Sequence, residues 1–351
     1  MDIAQIDRNF AVQTSLDIDN IKFYDAKDER FSLYGVFYED GMYRRLPESV
    51  AQAVSTRVHA LHANTAGGRL KFCTNSSFVA IKAVMPTIGK MPHFALTGSA
   101  GFDLYIGKKE TYFGSFVPPF GITDGYEKAI RFKDNKLREI TINFPLYSSV
   151  SQLYIGLEEG AVLKKASGYK YEKPIAFYGS SITQGGCASR PGNAYQSILS
   201  RALQADHLNL GFSGSSLAED AIAQYIKDLD MSVFVYDYDH NSPNLQHLQD
   251  THQKMFLTIR KHRPELPILL LSRPKYYLTE EEKERLAVIK KTYTDALAAG
   301  DRNTYFIEGP KLMAYVKDGG TVDGCHPNDL GFYSMAKTLT KQLKPILKQL
   351  L

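Results

Sequence analysis

The sequence predicts a chain of two parts, in which an all-β sandwich precedes an α/β domain built on a parallel sheet. Three observations predict this fold class. Short alternating segments with turn residues between them run to about residue 160, apolar strands then alternate with helical stretches, and a polar stretch at 164–173 separates the two patterns. We therefore expect the sandwich in residues 1–165 and the α/β domain in residues 166–351.

The clearest strands of the first part alternate apolar and polar residues, as strands of an antiparallel sandwich do. They lie at 70–73, 78–84, 102–106 and 139–144. Strong helical periodicity is scarce in this part, so the sequence predicts an essentially all-β domain.

The second part predicts five strands and five helices in regular alternation. The strands are expected at 174–179, 207–211, 232–238, 267–272 and 303–307. The helices are expected near 193–204, 216–228, 244–262 and 279–299, and from about 329 onward. Strands that alternate with helices predict a parallel sheet covered by helices, with functional residues at the carboxyl ends of the strands.

Composition excludes several classes of function. The 351 residues are 44% hydrophobic and 23% charged, which is ordinary for a globular protein, and the formal net charge of +4 is dispersed. We expect neither a nucleic-acid partner nor a membrane partner, because there is no basic stripe with interleaved aromatics and no run long enough to span a bilayer.

The acidic N-terminus and the odd number of cysteines predict a cytoplasmic location. The oligomeric state cannot be read from the sequence.

A serine at a strand end and a distant imidazole predict nucleophilic catalysis. The pentad 179–183, Gly-Ser-Ser-Ile-Thr, directly follows the apolar run 175–178. A serine hydroxyl attacks a carbonyl when a neighbouring base takes its proton and a third group orients that base. Ser181 is the candidate nucleophile, His326 the candidate base, and Asp323, three residues before the histidine, the candidate orienting acid.

The next two strand ends supply candidate donors for the oxyanion that such an attack creates. The backbone N–H of Ser181 comes with the turn itself. Gly214 follows the second strand, where a glycine allows close backbone approach, and Asn241 follows the third strand, where its side-chain amide can donate.

These blocks, in this order, resemble the SGNH (GDSL-type) hydrolase superfamily. Ser180 stands where the family name has Asp, and Thr183 disfavours the Gly-x-Ser-x-Gly turn of ordinary α/β-hydrolases. The segment Gly-Phe-Asp-Leu-Tyr at 101–105 resembles a subgroup of SGNH esterases with an N-terminal β-sandwich. The resemblance implies a flavodoxin-like three-layer α/β/α domain behind a jelly-roll-like sandwich, and carboxylic ester hydrolysis without a cofactor.

Two arginines and a possible metal site complete the candidates. Arg190, in the loop after the nucleophile, and Arg273, after the fourth strand, are candidate substrate-binding residues, and surface or structural pairing is the alternative for each. Asp323, Cys325 and His326 are possible zinc ligands, but no second ligand cluster with familiar spacing accompanies them, so we expect no metal.

The resemblance favours removal of O-acetyl groups from carbohydrate through an acyl-enzyme intermediate. A lipid or thioester acylhydrolase, or an acyltransferase, is the alternative among enzymes. A catalytically silent carbohydrate-binding protein is the alternative of another class.

Overall fold

The first part of the chain is an antiparallel sandwich in the computed structural model, which describes residues 12–350. The strands are β1 Ile21–Asp25, β2 Ser32–Tyr34, β3 Phe37–Glu39, β4 Met42–Arg44, β5 Arg69–Thr74, β6 Phe78–Val84, β7 Phe102–Ile106, β8 Thr111–Phe116, β9 Gly125–Arg131, β10 Arg138–Asn143, β11 Gln152–Glu158 and β12 Leu163–Lys164. One sheet of the sandwich has the order β1-β11-β6-β9, and the other has the order β12-β5-β10-β7-β8 with β2 also paired to β5. β3 and β4 form a separate two-stranded sheet. The four predicted strands correspond to β5, β6, β7 and β10.

Alternation of side chains builds the core of the sandwich. Leu70 and Phe72 of β5 lie opposite Ile142 and Ile140 of β10, and all four are buried in one apolar cluster. Because successive side chains of a strand point to opposite faces, every second residue supplies this core.

Three short helices in this part have no counterpart in the predicted pattern: α1 Glu48–Val54, α2 Thr56–Leu61 and α3 Leu96–Ser99. Ala51 of α1 and Val58 of α2 pack into a cluster that contains Ile222 and Ile226 of the α/β domain. Helices of seven residues or fewer give too few turns for a helical period to be visible in the sequence.

The second part is a five-stranded parallel sheet between two layers of helices. Its elements are β13 Tyr171–Gly179, α4 Ser181–Gln184, α5 Tyr195–Leu203, β14 Ala205–Gly211, α6 Asp220–Asp228, β15 Val233–Asp237, α7 Leu245–His262, β16 Ile268–Leu271, α8 Glu280–Ala298, β17 Thr304–Ile307, α9 Gly309–Leu312 and α10 Asp329–Gln349. The sheet order is β14-β13-β15-β16-β17, which is the flavodoxin-like order of doubly wound folds.

The central strand β13 contributes side chains to the apolar clusters on both faces of the sheet. Ile175 and Phe177 face the cluster under α5 and α10, whereas Ala176 and Tyr178 face the cluster under α6, α7 and α8. Burial on both faces explains why β13 reads as a continuous apolar run rather than an alternating one. The fold class predicted from the sequence is confirmed.

The topology brings three predicted site segments together. β13 lies between β14 and β15, so the chain leaves the sheet at residues 180, 212 and 238 from three adjacent strand ends. In such sheets the crevice at the carboxyl ends is where ligands bind. Across residues 12–350, no helix has both the length and the apolarity needed to cross a bilayer.

Candidate active site

The turn after β13 presents one of two adjacent serines. A Cβ on Gly179 would lie 2.2 Å from the Asp237 carbonyl oxygen and from Thr183 Oγ1, so only glycine fits at this close approach. The Ser180 hydroxyl accepts a hydrogen bond from the Ile182 N–H at 3.2 Å and caps α4. The hydroxyl of Ser181 takes no part in this cap and contacts His326 instead.

Ser181, His326 and Asp323 form a continuous hydrogen-bonded series. Ser181 Oγ lies 3.0 Å from His326 Nε2, and His326 Nδ1 lies 2.7 Å from Asp323 Oδ2. With the proton on Nδ1, the ring donates to the carboxylate and its Nε2 accepts from the serine hydroxyl. This is the tautomer that a general base needs.

Asp323 is held as a carboxylate by its own loop. Its Oδ1 accepts hydrogen bonds from the backbone N–H of Cys325 at 3.0 Å and of His326 at 2.7 Å. Partial burial raises the pKa of Asp323, but the hydrogen bonds from His326 and Cys325 outweigh it and lower the pKa to about 2. The spacing of three residues thus lets one turn both bind and orient the imidazole.

Three donors with no protein acceptor lie at the adjacent strand ends. Within residues 12–350, the backbone N–H groups of Ser181 and Gly214 donate to no protein atom. The side-chain amide of Asn241 donates one hydrogen to the Phe212 carbonyl at 2.9 Å, which leaves its second hydrogen available. Gly214 has φ of +64°, and a Cβ there would meet nothing within 4 Å, so its backbone borders open space.

Buried ion pairs fix the turn that carries Asn241. Asp239 Oδ1 accepts from Arg285 Nε at 2.9 Å, and Asp239 Oδ2 accepts from the Arg273 backbone N–H at 3.0 Å. Burial raises the pKa of Asp239, but the charges of Arg273 and Arg285 more than offset this and hold it below its usual value. The Arg273 side chain pairs with Glu282 at 3.0 Å and with Asp239 at 3.4 Å, so its charge is engaged within the protein.

Arg190 points into the sandwich. It pairs with Asp103 at 3.2 Å, donates to the Tyr105 hydroxyl, and stacks over the Tyr112 ring at 3.9 Å. Asp103 is fully buried and also accepts from the Gly192 N–H at 2.8 Å and from the Asn143 amide at 2.7 Å. The Asp and Tyr of the 101–105 segment therefore bind the loop that follows the nucleophile.

The same loop is tied to the segment after His326. The Cys187 N–H donates to the Pro327 carbonyl at 3.0 Å, and Asp329 accepts from the Ser189 N–H and the Asn193 amide, both at 2.8 Å. Sequence reasoning did not find the roles of Asp103, Asp329 and Arg285. The 101–105 segment indicates the family, but its sequence does not show that Asp103 pairs with Arg190, 87 residues away.

The structure adds a histidine to the mouth of the site. A ring nitrogen of His93, one of His326 and a carboxylate oxygen of Asp323 lie within 4.8 Å of one another, so these three side chains are the residues that could hold a metal ion here. Cys325 is not part of this group; its Sγ lies 3.8 Å from His240 Nδ1.

One more carboxyl lies beneath the nucleophile turn. Asp237, at the end of β15, is buried and accepts from Thr183 Oγ1 at 3.2 Å. Burial raises the pKa of Asp237 to about 7, because a single hydrogen bond does not compensate for the loss of water.

Comparison with known proteins decides the family. The model of the GDSL-like lipase/acylhydrolase family matches residues 172–344, and a second model, of the N-terminus of SGNH-hydrolase-type esterases, matches residues 21–163. A Bacteroides ovatus protein assigned to the GDSL-like lipases is similar at 30% identity over 94% of this chain and 98% of that one, with a TM-score of 0.84. This chain belongs to the GDSL-like lipase/acylhydrolase family. The predicted resemblance is confirmed, and the family's reaction makes this GDSL-like protein a carboxylic ester hydrolase.

More distant structures share the fold of this GDSL-like hydrolase. The salicylyl-acyltransferase SsfX3 of a tetracycline biosynthetic pathway is 17% identical over 94% of this chain and 98% of its own, with a TM-score of 0.76. The acetyl xylan esterase Est2A of Butyrivibrio proteoclasticus is 11% identical over 93% and 99%, with a TM-score of 0.61. No curated protein sequence matches the chain significantly.

Proposed function

We propose that this protein is a serine esterase in which Ser181 is the nucleophile, His326 the general base and acid, and Asp323 the group that orients the imidazole. The observation that carries the proposal is the series of contacts from Ser181 Oγ to His326 at 3.0 Å and from His326 to Asp323 at 2.7 Å. The three residues lie beside three adjacent strand ends, where N–H groups without protein acceptors can stabilise an oxyanion, and this placement supports the same assignment.

The reaction runs through an acyl-enzyme. Ser181 Oγ attacks the ester carbonyl carbon while His326 Nε2 takes the hydroxyl proton, and the oxyanion accepts hydrogen bonds from Gly214, Asn241 and the Ser181 N–H. The tetrahedral intermediate collapses as His326 returns the proton to the departing alcohol. Water then attacks the acyl-enzyme with His326 again as base, which releases the acid and restores the serine.

A short acyl group on a carbohydrate is the substrate we propose. Est2A, which shares the fold of this chain, is an acetyl xylan esterase, and its substrate supports this class of ester. A 710 Å³ cavity lined by Tyr171, Met231 and Leu347 lies at the amino ends of the strands. The nine residues of β13 separate it from Ser181 by about 30 Å, so it cannot receive a lipid chain esterified at that serine.

Solvent exposure of Asp323 and His326 supports hydrolysis over acyl transfer. The side chains of Asp323 and His326 are 36% and 24% exposed, so water can reach the base. A transferase protects its acyl-enzyme from water, since water competes with the acceptor alcohol.

Two adjacent serines provide the test. Ser181→Ala should abolish hydrolysis of p-nitrophenyl acetate, and the peptide that contains Ser181 should cease to gain an acetyl group in mass spectra of quenched reactions. Ser180→Ala should retain acetylation and lose only capping stability, about 1 kcal/mol. Full activity of Ser181→Ala, or acetylation lost in Ser180→Ala alone, contradicts the assignment.

Substrate class is tested separately. We expect acetyl p-nitrophenyl esters to be strongly preferred over octanoyl esters, and acetate to be released from acetylated oligosaccharides. A preference for octanoyl esters favours the lipid alternative, and product partition toward an added alcohol favours acyl transfer. Glycan binding without hydrolysis of any activated acetate favours the silent binding protein.

A further inference from the structure

A histidine of the sandwich is held firmly beside the catalytic base. His93 lies between β6 and α3, and the next residue, Phe94, is buried edge-on against Tyr147, with ring centroids 5.2 Å apart. Tyr147 in turn donates its hydroxyl hydrogen to the Ser181 carbonyl at 3.0 Å. The backbone around His93 is therefore anchored to the nucleophile turn itself.

A second anchor follows four residues later. Thr97 Oγ1 donates to the Ser189 carbonyl at 2.6 Å. A Cβ on Gly98 would lie 2.0 Å from the Ala188 carbonyl oxygen, so glycine allows the two backbones to touch. The segment from His93 to Gly98 thus packs directly on the loop after the nucleophile.

The imidazole of His93 has no hydrogen-bond partner among the residues that the structure describes. Its ring centroid lies 5.4 Å from that of His326, and the side chain is exposed. Among residues 12–350, no protein atom forms a hydrogen bond with its ring nitrogens. A fixed backbone, an exposed ring and free nitrogens next to a catalytic base are what a substrate-contacting residue requires.

A cavity of about 330 Å³ opens beside His93 at the junction of the two parts of the chain. Its lining combines apolar and polar side chains, among them Ala95, Cys187, Val322 and Leu330 with His93 and Ser189. The volume is at the lower end of small-molecule sites, which span about 300–1,000 Å³. A single sugar ring, which has aliphatic C–H faces and a rim of hydroxyls, matches both the size and the mixed lining.

The chemistry decides which half of the ester this cavity faces. The carbonyl oxygen must lie near the Gly214 N–H and the Asn241 amide, which follow the two strands that flank β13. The departing oxygen must come within hydrogen-bond reach of His326 Nε2, because that atom returns the proton to it. The alcohol half therefore extends toward the His326 side, where His93 lies.

We propose that His93 and the cavity beside it bind the alcohol half of the ester, a sugar, with His93 forming a hydrogen bond to one of its hydroxyls. This inference rests on the proposed esterase function and names the part of the molecule that selects the alcohol. The sandwich then supplies a specificity residue to a site whose reacting groups all come from the α/β domain.

Two acetate esters of different alcohols test the selectivity. The p-nitrophenyl half of the first ester carries no hydroxyl for His93 to bind, whereas the sugar half of mono-O-acetylated xylobiose carries several. His93→Ala should lower kcat/KM for the acetylated sugar about three- to tenfold, the value of one neutral hydrogen bond, and change that for p-nitrophenyl acetate less than about twofold. His93→Gln, which keeps a donor and an acceptor, should recover part of the loss. His262→Ala, a change of another exposed histidine that lines the cavity at the amino ends of the strands, should affect neither ester.

Zinc ions alone provide an independent readout of where His93 lies. Two imidazoles and a carboxylate within 4.8 Å of one another suit Zn²⁺. An ion bound there would engage His326 and prevent it from acting as the general base. Zn²⁺ should inhibit hydrolysis of p-nitrophenyl acetate by the wild-type protein, and His93→Ala should raise the inhibitory concentration about tenfold or more. His262→Ala should leave it unchanged.

The outcomes separate this inference from the proposed function. Equal losses on both esters, no loss on the acetylated sugar, or unchanged zinc sensitivity in His93→Ala each overturns the alcohol site. Activity retained by Ser181→Ala overturns the proposed function instead, whatever His93→Ala does. Selective loss on the sugar together with lower zinc sensitivity supports the inference.

Discussion

Replacing Arg190 with alanine distinguishes a substrate-binding arginine from one that ties the sandwich to the catalytic loop. The sequence leaves both roles open. The contacts of the side chain with Asp103, Tyr105 and Tyr112 favour the second. The two roles make opposite predictions for stability and for KM, so one variant separates them.

The size of the effect follows from those contacts. Loss of the charged hydrogen bond to buried Asp103 costs about 1.5–3 kcal/mol of unfolding free energy. Loss of the stacking on Tyr112 at 3.9 Å adds about 0.5–1 kcal/mol. We therefore expect Arg190→Ala to be less stable by about 2–4 kcal/mol, with KM for p-nitrophenyl acetate nearly unchanged.

The loss should also depend on pH. Burial raises the pKa of Asp103, and the charge of Arg190 offsets part of that increase. Without Arg190 the folded-state pKa rises further, so the folded variant retains a proton that the unfolded chain releases. Stability of the variant then falls as pH increases above about 4, where the unfolded carboxyl ionises, and its deficit against the wild type should be larger at pH 7 than at pH 4.

Urea denaturation followed by far-UV circular dichroism at both pH values measures the deficit, and steady-state kinetics measures KM. Arg57→Ala, at an exposed position of α2, is the control for loss of an arginine as such. A KM increase of about tenfold or more, with an unchanged denaturation midpoint, would refute the structural role and restore substrate binding.

Three further predictions concern the site. Asp323→Asn should lower kcat for p-nitrophenyl acetate by about 10⁴ with little change in KM, because the imidazole loses the partner that fixes its tautomer; a loss under about tenfold contradicts this. Asn241→Ala should lower kcat by about 10²–10³ through loss of one oxyanion donor, measured in the same assay. Asp237, with a pKa near 7 in the folded protein against about 4 unfolded, should destabilise the fold progressively from about pH 4 to pH 7. Denaturation of Asp237→Asn should show a weaker decline over that range, and an identical pH profile would contradict the buried carboxyl.

The proposed nucleophile and oxyanion donors were predictable because each lies next to a strand end. Ser181 follows β13, Gly214 follows β14 and Asn241 follows β15, so the apolar runs that predict the strands also locate these residues at one edge of the sheet. Their spacing in sequence is large, but the parallel topology converts it into proximity. The helices α5 to α8 and α10 were predictable for a related reason, since long amphipathic periods are visible without any knowledge of contacts.

The supporting residues were not predictable, because their roles depend on partners that no local pattern marks. Arg285 lies in the middle of a charged helix and reads as a solvated arginine, yet it is 3% exposed and binds Asp239, 46 residues away. Arg273 reads as a substrate contact because it follows a strand, but Asp239 and Glu282 engage its charge. Charge alone indicates that a residue needs a partner, and only the fold shows whether the protein or the substrate provides it.

The division of the chain into two parts describes its secondary structure better than it describes its catalytic unit. Leu146 and Tyr147 lie in the apolar cluster under α5 and α10, and Ala51 and Val58 lie in the cluster under α6 to α8. Each layer of helices therefore completes its core with residues that precede the predicted boundary. Because Tyr147 also holds the Ser181 carbonyl at 3.0 Å, the position of the nucleophile turn depends on packing across that boundary. We therefore expect the sandwich to form a wall of the site, and under the alcohol-site proposal sequence changes around His93 should alter which alcohols the site accepts without altering the proposed reacting residues.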